Sequence, residues 1–362
     1  MPRKKVALVF SSSNTQFIMD RLVGEFDHQG FDAIEYTDGD PDLLDADAII
    51  LAGDISKLTK TVRLLMQNAA SRPPTIAWAY EPVIPNDFAA WANTWASRAI
   101  ATAQAAKRHQ KLMRRLTRLM FVSISLFGTG PWGRSLTAKE LQFSYAYTLA
   151  LKSGLNQGWI DGVACSTYEK RDTVANWGAP TTFAPLSIDW KPEREPAFEE
   201  KRDIDVLFLG RLSNWRRTTR LMRLSTKLRR AGYNVKIVTH GLRGKERDAV
   251  LDRTRIVLHL TKYPWDTAWM RFYMASTHGA AVVSETLSDP SPMRPGQDFK
   301  TADARDLEAQ ILGLLTDEAE RQQCVSNCRQ TIDAKMSFRQ SVAAMIALAE
   351  QAKDKGKPCR QI

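Results

Sequence analysis

Apolar positions along the chain fall into short runs separated by longer amphipathic stretches. KVALVF reads as a strand, and NTQFIMDRLVGEFDHQG as a helix with Phe17, Leu22 and Phe26 near one face and Gly30 placed as its C-terminal cap. FDAIEYT and DAIILAGD are two further strands, ISKLTKTVRLLMQNAAS is a second helix, and TIAWAYEP is a fourth strand ended by Pro82. Strands that alternate with helices predict a parallel sheet covered on both faces. Residues 88–160 read as helices rich in Trp, Ala and Lys/Arg, broken at FGTGPWG. A short strand then leads to Ser166, a helix to Gly178 and another strand to Leu186, before the charged, Pro-containing stretch KPEREPAFEEKRD. The second half restarts the alternation with DIDVLFLGR, RRTTRLMRLSTKLRRAG, NVKIVTHG, KERDAVLDRT and RIVLHLT, and ends in a helical tail from about residue 305. Its first helix sets Arg216, Arg220, Arg223, Lys227 and Arg230 on one face against Leu221, Leu224 and Leu228 on the other. The expected fold class is therefore α/β, with two Rossmann-like domains facing a cleft. The first spans 1–190 with a helical insertion at 88–160, the second spans 203–340, and 341–362 form a C-terminal helix and tail.

One stretch needs a ligand to make sense of it. In KYPWDTAWMRFYMASTHGAAVVSE, the run Ala280–Val283 opened by Gly279 fits a buried strand, so Ser284 and Glu285 fall where that strand ends. In open α/β sheets that end faces the ligand crevice.

With 362 residues, 44% hydrophobic and 25% charged, the chain has the composition of a soluble globular protein of two domains. No stretch approaches the roughly 20 apolar residues that span a bilayer, and Val6–Phe10 is too short for a secretory signal. The four cysteines form no CxxC pair, and no histidine spacing completes a metal site around Cys324 and Cys328, so free thiols in a cytoplasm and no metal are expected. The net charge of +11 favours anionic partners: phosphorylated small molecules, an anionic membrane surface or nucleic acid.

Val206-Leu-Phe-Leu-Gly-Arg211, Arg255-Ile-Val-Leu-His-Leu260, Tyr263-Pro-Trp265, Arg271-Phe-Tyr-Met-Ala275 and Gly279-Ala-Ala-Val-Val-Ser-Glu285, in this order, resemble the donor-binding domain of group-1 GT-B glycosyltransferases. The likeness is to the spore-maturation-protein-like branch and covers roughly residues 160–350. It implies transfer of a sugar from a nucleotide-sugar donor to a glycan, lipid-linked or other acceptor. No cofactor is implied, because the nucleotide-sugar is a substrate. A nucleotide diphosphate leaves with two to three negative charges and needs cations aimed at it. GT-B enzymes supply these without an obligatory metal. Arg211, Arg216 and Arg217 at a helix start, Lys262 and Arg271 are the cations on offer. The implied donor-binding set is Gly210, Arg211, Arg216, Lys262, Arg271, Ser284 and Glu285, with Asp266 orienting the donor sugar or simply capping the helix that follows. The Glu-x7-Glu pair of many retaining members falls here on Asp266 and Met274. A methionine accepts no ribose hydroxyl in the usual way, so Glu285 becomes the substitute. The same departure suggests a rival: a non-catalytic protein on a degenerate GT-B scaffold.

In the first domain Ser12, Ser13 and Asn14 follow the first strand, where they cap a helix or hold an acceptor or phosphate; the GxGxxG pattern is absent. Asp54 and Glu81 end predicted strands and are the candidate general bases for an inverting reaction. Lys107, Lys111, Arg114, Arg115 and Arg118 cluster on one side of a helix that runs into the apolar stretch 121–127. This pattern suits an anionic membrane surface at the inner face of the membrane. The same charge suggests a third alternative, a nucleic-acid-modifying or nucleic-acid-binding protein, but no strand interleaves aromatic and basic residues, so nucleic acid ranks below the membrane.

Overall fold

The computed structural model describes residues 2–11, 16–84, 138–187, 189–195, 202–212, 215–263 and 267–354. Ser12, Ser13, Asn14, Lys107, Lys111, Arg114, Arg115, Arg118 and Asp266, together with most of the expected insertion, lie outside the described residues. The described chain divides into two compact units.

The first unit contains β1 (Lys4–Phe10), α1 (Gln16–His28), β2 (Phe31–Tyr36), β3 (Ala48–Ala52), α2 (Thr59–Gln67), β4 (Thr75–Ala79), α3 (Ala138–Asn156), β5 (Gly162–Cys165), α4 (Tyr168–Ala175) and β6 (Thr181–Phe183). The six strands form one parallel sheet in the order β2-β1-β3-β4-β5-β6. Its middle strands are continuous apolar runs because helices cover them on both sides: Ala48–Ala52 and Thr75–Ala79 are buried throughout. At the opposite edge from the strand C-termini, Arg72 makes a bidentate bond to Asp161 at 2.6 and 2.7 Å, and Asp161 also accepts from the Thr75 backbone N–H at 2.7 Å. This pair, with Arg72 buried, ties the start of β4 to the start of β5.

The second unit contains β7 (Ile204–Leu209), α5 (Trp215–Arg230), β8 (Val235–Val238), α6 (Gly244–Asp252), β9 (Thr254–His259), α7 (Met270–Thr277), β10 (Ala281–Glu285), β11 (Lys300–Ala302), α8 (Leu307–Thr316) and α9 (Glu318–Lys335). Its parallel sheet runs β11-β10-β9-β7-β8. Leu221, Leu224 and Leu228 of α5 pack on Val206, Phe208, Ile256, Leu258 and Val283, joined by Leu307, Ile311 and Leu314 of α8. Gly279, at φ +71°, stops α7, and the Ala280 N–H returns to the Ala275 carbonyl at 2.9 Å. That turn sends the chain directly into β10. The last helix, α10 (Phe338–Asp354), leaves this unit and belongs to the first, where Phe338 meets Trp78 edge to face at 6.0 Å. Among the described residues no helix is long and apolar enough to cross a membrane.

Candidate active site

β7, β9 and β10 are neighbours, so their C-terminal ends bring Gly210, His259 and Glu285 to one edge of the second sheet. Gly210 follows β7 with φ +146°. A Cβ there would lie 2.2 Å from Arg271 Nη2 and 3.1 Å from Arg217 Nη2, so glycine is what lets two guanidiniums approach the backbone. Arg271 reaches over from α7 and donates from Nε to the Leu209 carbonyl at 2.6 Å. Arg217 comes from the first turn of α5 and donates to the Arg211 carbonyl at 3.2 Å. Both stack on Phe208, with Cζ 5.4 Å (Arg271) and 4.9 Å (Arg217) from the ring centre.

Arg271 carries an electrostatic cost. Burial, and then the charge of Arg217, push Arg271 well below the usual guanidinium range. An arginine keeps its charge at neutral pH, so this shift is a cost carried by the fold. No carboxylate contacts Arg271 among the described residues. His259, fully buried beside them, is likewise pushed well below its ordinary value by burial, Arg271 and Arg217. The arrangement can accept an anion beside Arg271.

Two strands along, Glu285 is buried and holds a different pair of cations. Arg216 donates to its two oxygens at 2.8 and 3.1 Å, Arg220 pairs with Oε2, and Thr261 donates to Oε1 from its N–H and, at 2.6 Å, from its hydroxyl. Burial raises this carboxyl, but Arg216, Thr261 and Arg220 outweigh it and leave Glu285 below the usual carboxylate range. These five bonds engage both carboxylate oxygens with protein donors. Glu285 instead fixes Arg216 and Arg220 in the wall of a pocket of about 600 Å³ that Thr286, Asp303, Arg305 and Asp306 complete. Ser284 is fully buried and its hydroxyl is committed to the Glu285 carbonyl at 2.7 Å. Met274, in α7, is 7% exposed and packed in the core. Arg211 is exposed, and Lys262 lies with Nζ 4.8 Å from the Tyr263 ring centre.

Of the expected donor set, Gly210 and Arg271 come together, Arg216 joins Glu285 instead, and Arg217 takes the place beside Arg271. His259, Phe208 and Thr261 were not expected. Arg217 did leave a signal in the sequence: it continues the Leu221-Leu224-Leu228 stripe one turn back, so an arginine stands on the apolar face of its helix.

In the first unit Asp54 is buried after β3, accepts from Ser56 Oγ at 2.5 Å and pairs with Lys57 at 3.1 Å. Glu81 is partly buried after β4, and it adds to the burial that raises the Tyr80 and Tyr147 phenols. Among the described residues no group of three His, Cys, Asp or Glu side chains converges as a metal site.

A Glycosyl transferase-like family model matches residues 194–347. The second unit carries a glycosyltransferase-like domain. Two parallel-strand sheets with flanking helices match GT-B glycosyltransferase structures. An α-glucosyltransferase in complex with UDP and a 13-mer DNA containing an HMU base superposes with a TM-score of 0.55 at 10% identity, covering 96% of this chain and 100% of that one. A mutant of S. aureus TarM, in complex with fondaparinux, α-GlcNAc-glycerol and UDP, superposes at 0.51 with 11% identity over 83% of this chain. The chain spans about half the length of TarM, 55% of it being covered. A UDP-N-acetylglucosamine 2-epimerase superposes at 0.50 with 8% identity, covering 99% and 100%. An epimerase therefore shares the architecture, and the fold alone does not decide the reaction. No curated relative matches the chain in sequence.

Proposed function

We propose that this protein is a glycosyltransferase that binds a nucleotide-diphosphate sugar through Gly210, Arg217 and Arg271 and passes the sugar to a glycan or lipid-linked acceptor without a metal ion. The observation that carries this reading is Arg271, a half-buried cation beside a second cation, with no carboxylate contact among the described residues. A diphosphate fits it chemically. Charge builds on the leaving phosphate as the glycosidic bond breaks, and fixed guanidiniums held against Phe208 and the Leu209 and Arg211 carbonyls need no reorganisation to meet it. A glycosyltransferase-like domain over residues 194–347 supports the same reading. Asp54 and Glu81 are the candidate bases for the acceptor hydroxyl, and Asp266 the group for the donor sugar. Lys107, Lys111, Arg114, Arg115 and Arg118 would hold the protein to an anionic membrane on its cytoplasmic side.

The test is a calorimetric screen of UDP, GDP, CDP, ADP and dTDP, followed by hydrolysis of the matching sugar donors. One clear nucleotide binder with slow donor hydrolysis supports the transferase. No binding by any of them removes it. A second reading, a non-catalytic nucleotide-binding protein, is favoured by Met274 where many retaining enzymes have a carboxylate. It predicts binding without turnover, even with cell extract as the source of acceptor.

A further inference from the structure

His259 ends β9 in the middle of the second sheet, with none of its surface exposed. Its Nδ1 lies 3.5 Å from Arg271 Nη1, and its ring packs on Phe272 with 5.2 Å between centres. Nε2 has no hydrogen-bond partner. An arginine only donates, so Nδ1 is the acceptor and the hydrogen of the neutral ring sits on Nε2. A buried N–H without an acceptor is costly, and an apolar side chain would avoid the cost in a strand whose neighbours Val257, Leu258 and Leu260 are all apolar. Arg271 thus lacks a counter-anion, and the His259 Nε2–H lacks an acceptor.

We infer that His259 is a positioning residue for the donor diphosphate: without ligand its neutral ring steadies Arg271 through Nδ1, and on binding it takes one proton from solvent onto Nδ1. Arg271 Nη1 is then released to the phosphate oxygens, and the imidazolium adds a positive charge beside them. The inference rests on the nucleotide-sugar reading of this site. The charged groups that face the ring are Arg271 from α7 and Arg217 from α5. β10 presents Ser284 in register with it, and the facing end of β7, Leu207–Leu209, has no titratable side chain. Without ligand, burial and the two arginines keep the ring neutral at neutral pH. A diphosphate reverses the sign of the local field and favours the charged ring. Between the free and bound pKa values binding takes up protons, so affinity rises as pH falls through that window.

The experiment uses the full chain with ¹⁵N-labelled histidine, the His259 resonance being assigned by its loss in His259→Asn. The ring is titrated with pH alone and with UDP, GDP, CDP, ADP or dTDP, and affinities are measured by calorimetry at pH 6 and pH 8. With a nucleotide that binds, the ring should gain its proton between pH 8 and pH 6, where the free ring stays neutral. In His259→Asn the amide oxygen keeps an acceptor near the Nδ1 position but cannot take up the proton, so the gain in affinity toward pH 6 should disappear. His259→Leu should lose about tenfold or more at both pH values. Protons taken up by a terminal phosphate are common to all three proteins and drop out of the comparison. A nucleotide that binds without moving the ring titration, or binds His259→Leu as tightly as wild type, overturns the inference and leaves the nucleotide reading standing. If none of the five binds, the nucleotide reading fails and takes the inference with it. Should His259→Leu show no melting transition, the ring titration and the Asn variant decide.

Discussion

Arg271→Met is expected to keep or raise stability while it lowers nucleotide affinity. Arg271 and Arg217 both stack on Phe208, with Cζ atoms 5.4 and 4.9 Å from its centre. Two like charges several ångström apart repel by about 2 kcal/mol at an effective dielectric of about 20, and burial adds a desolvation cost. Against this, the variant loses the 2.6 Å bond to the Leu209 carbonyl, about 1 kcal/mol, and the ring contact, about 0.5–1 kcal/mol. Methionine fills most of the space and adapts its shape to the rest. The balance lies between about 0 and 2 kcal/mol in favour of Met, so the melting temperature should hold or rise by a few degrees. Binding should move the other way. A charge-assisted bond to phosphate is worth about 1.5–3 kcal/mol, so affinity for the nucleoside diphosphate should fall roughly 10- to 100-fold. Scanning calorimetry reads the first quantity and titration calorimetry the second. A melting temperature lowered by more than about 4 °C with unchanged affinity would refute the reasoning and make Arg271 a structural ion.

Gly210→Ala places a methyl 2.2 Å from Arg271 Nη2 at a backbone φ of +146°, so the guanidinium must move and the backbone is strained by about 1–3 kcal/mol. Binding weaker by about tenfold, with a lower melting temperature, is the expected result of calorimetry; wild-type affinity would show that the phosphates do not lie at this turn. Glu285 has its pKa lowered in the folded protein, so its charge stabilises the fold above the ordinary value of 4.5, and this contribution is lost as pH falls through the folded value below that. Glu285→Gln should therefore cost about 1–3 kcal/mol above pH 5, with the gap closing in more acid solution; urea unfolding from pH 3.5 to 7 checks this, and parallel curves would contradict it. Replacing Lys111, Arg114, Arg115 and Arg118 together by Gln should release the protein from anionic liposomes at low salt, and a wild type that never sediments with them ends the membrane proposal.

The strands were readable because a parallel sheet covered on both faces writes itself as uninterrupted apolar runs. AIILA, TIAWA, VLFL and AVV are such runs, and each became a central strand. The helical tail from about residue 305 was visible as helix, but not its division. It breaks at Asp317 and again near Met336, and its last segment packs in the other unit. Nothing local marks that return, because an amphipathic helix states that it has an apolar face and not which sheet that face will cover.

The site was legible to the same limit. Gly210 and Arg271 stand out in a motif order, but the partner of each cation depends on contacts across 45 to 69 residues, such as Arg216 with Thr261 and Glu285. Arg216 and Arg217 are identical letters at one helix start, and a rotation of about 100° separates them. That rotation sends Arg216 toward a carboxylate and Arg217 onto the apolar side with Leu221, Leu224 and Leu228. The apolar stripe was in the sequence, and so was the arginine that continues it. Reading such a stripe for the charged residue that violates it identifies Arg217, because a cation is kept on a buried face only where something offsets its cost. The same rule finds His259, a polar side chain closing an apolar strand. Both exceptions meet at the end of β7 and β9 beside Gly210, so the departures from the hydrophobic pattern, more than the pattern itself, mark where an anion would sit.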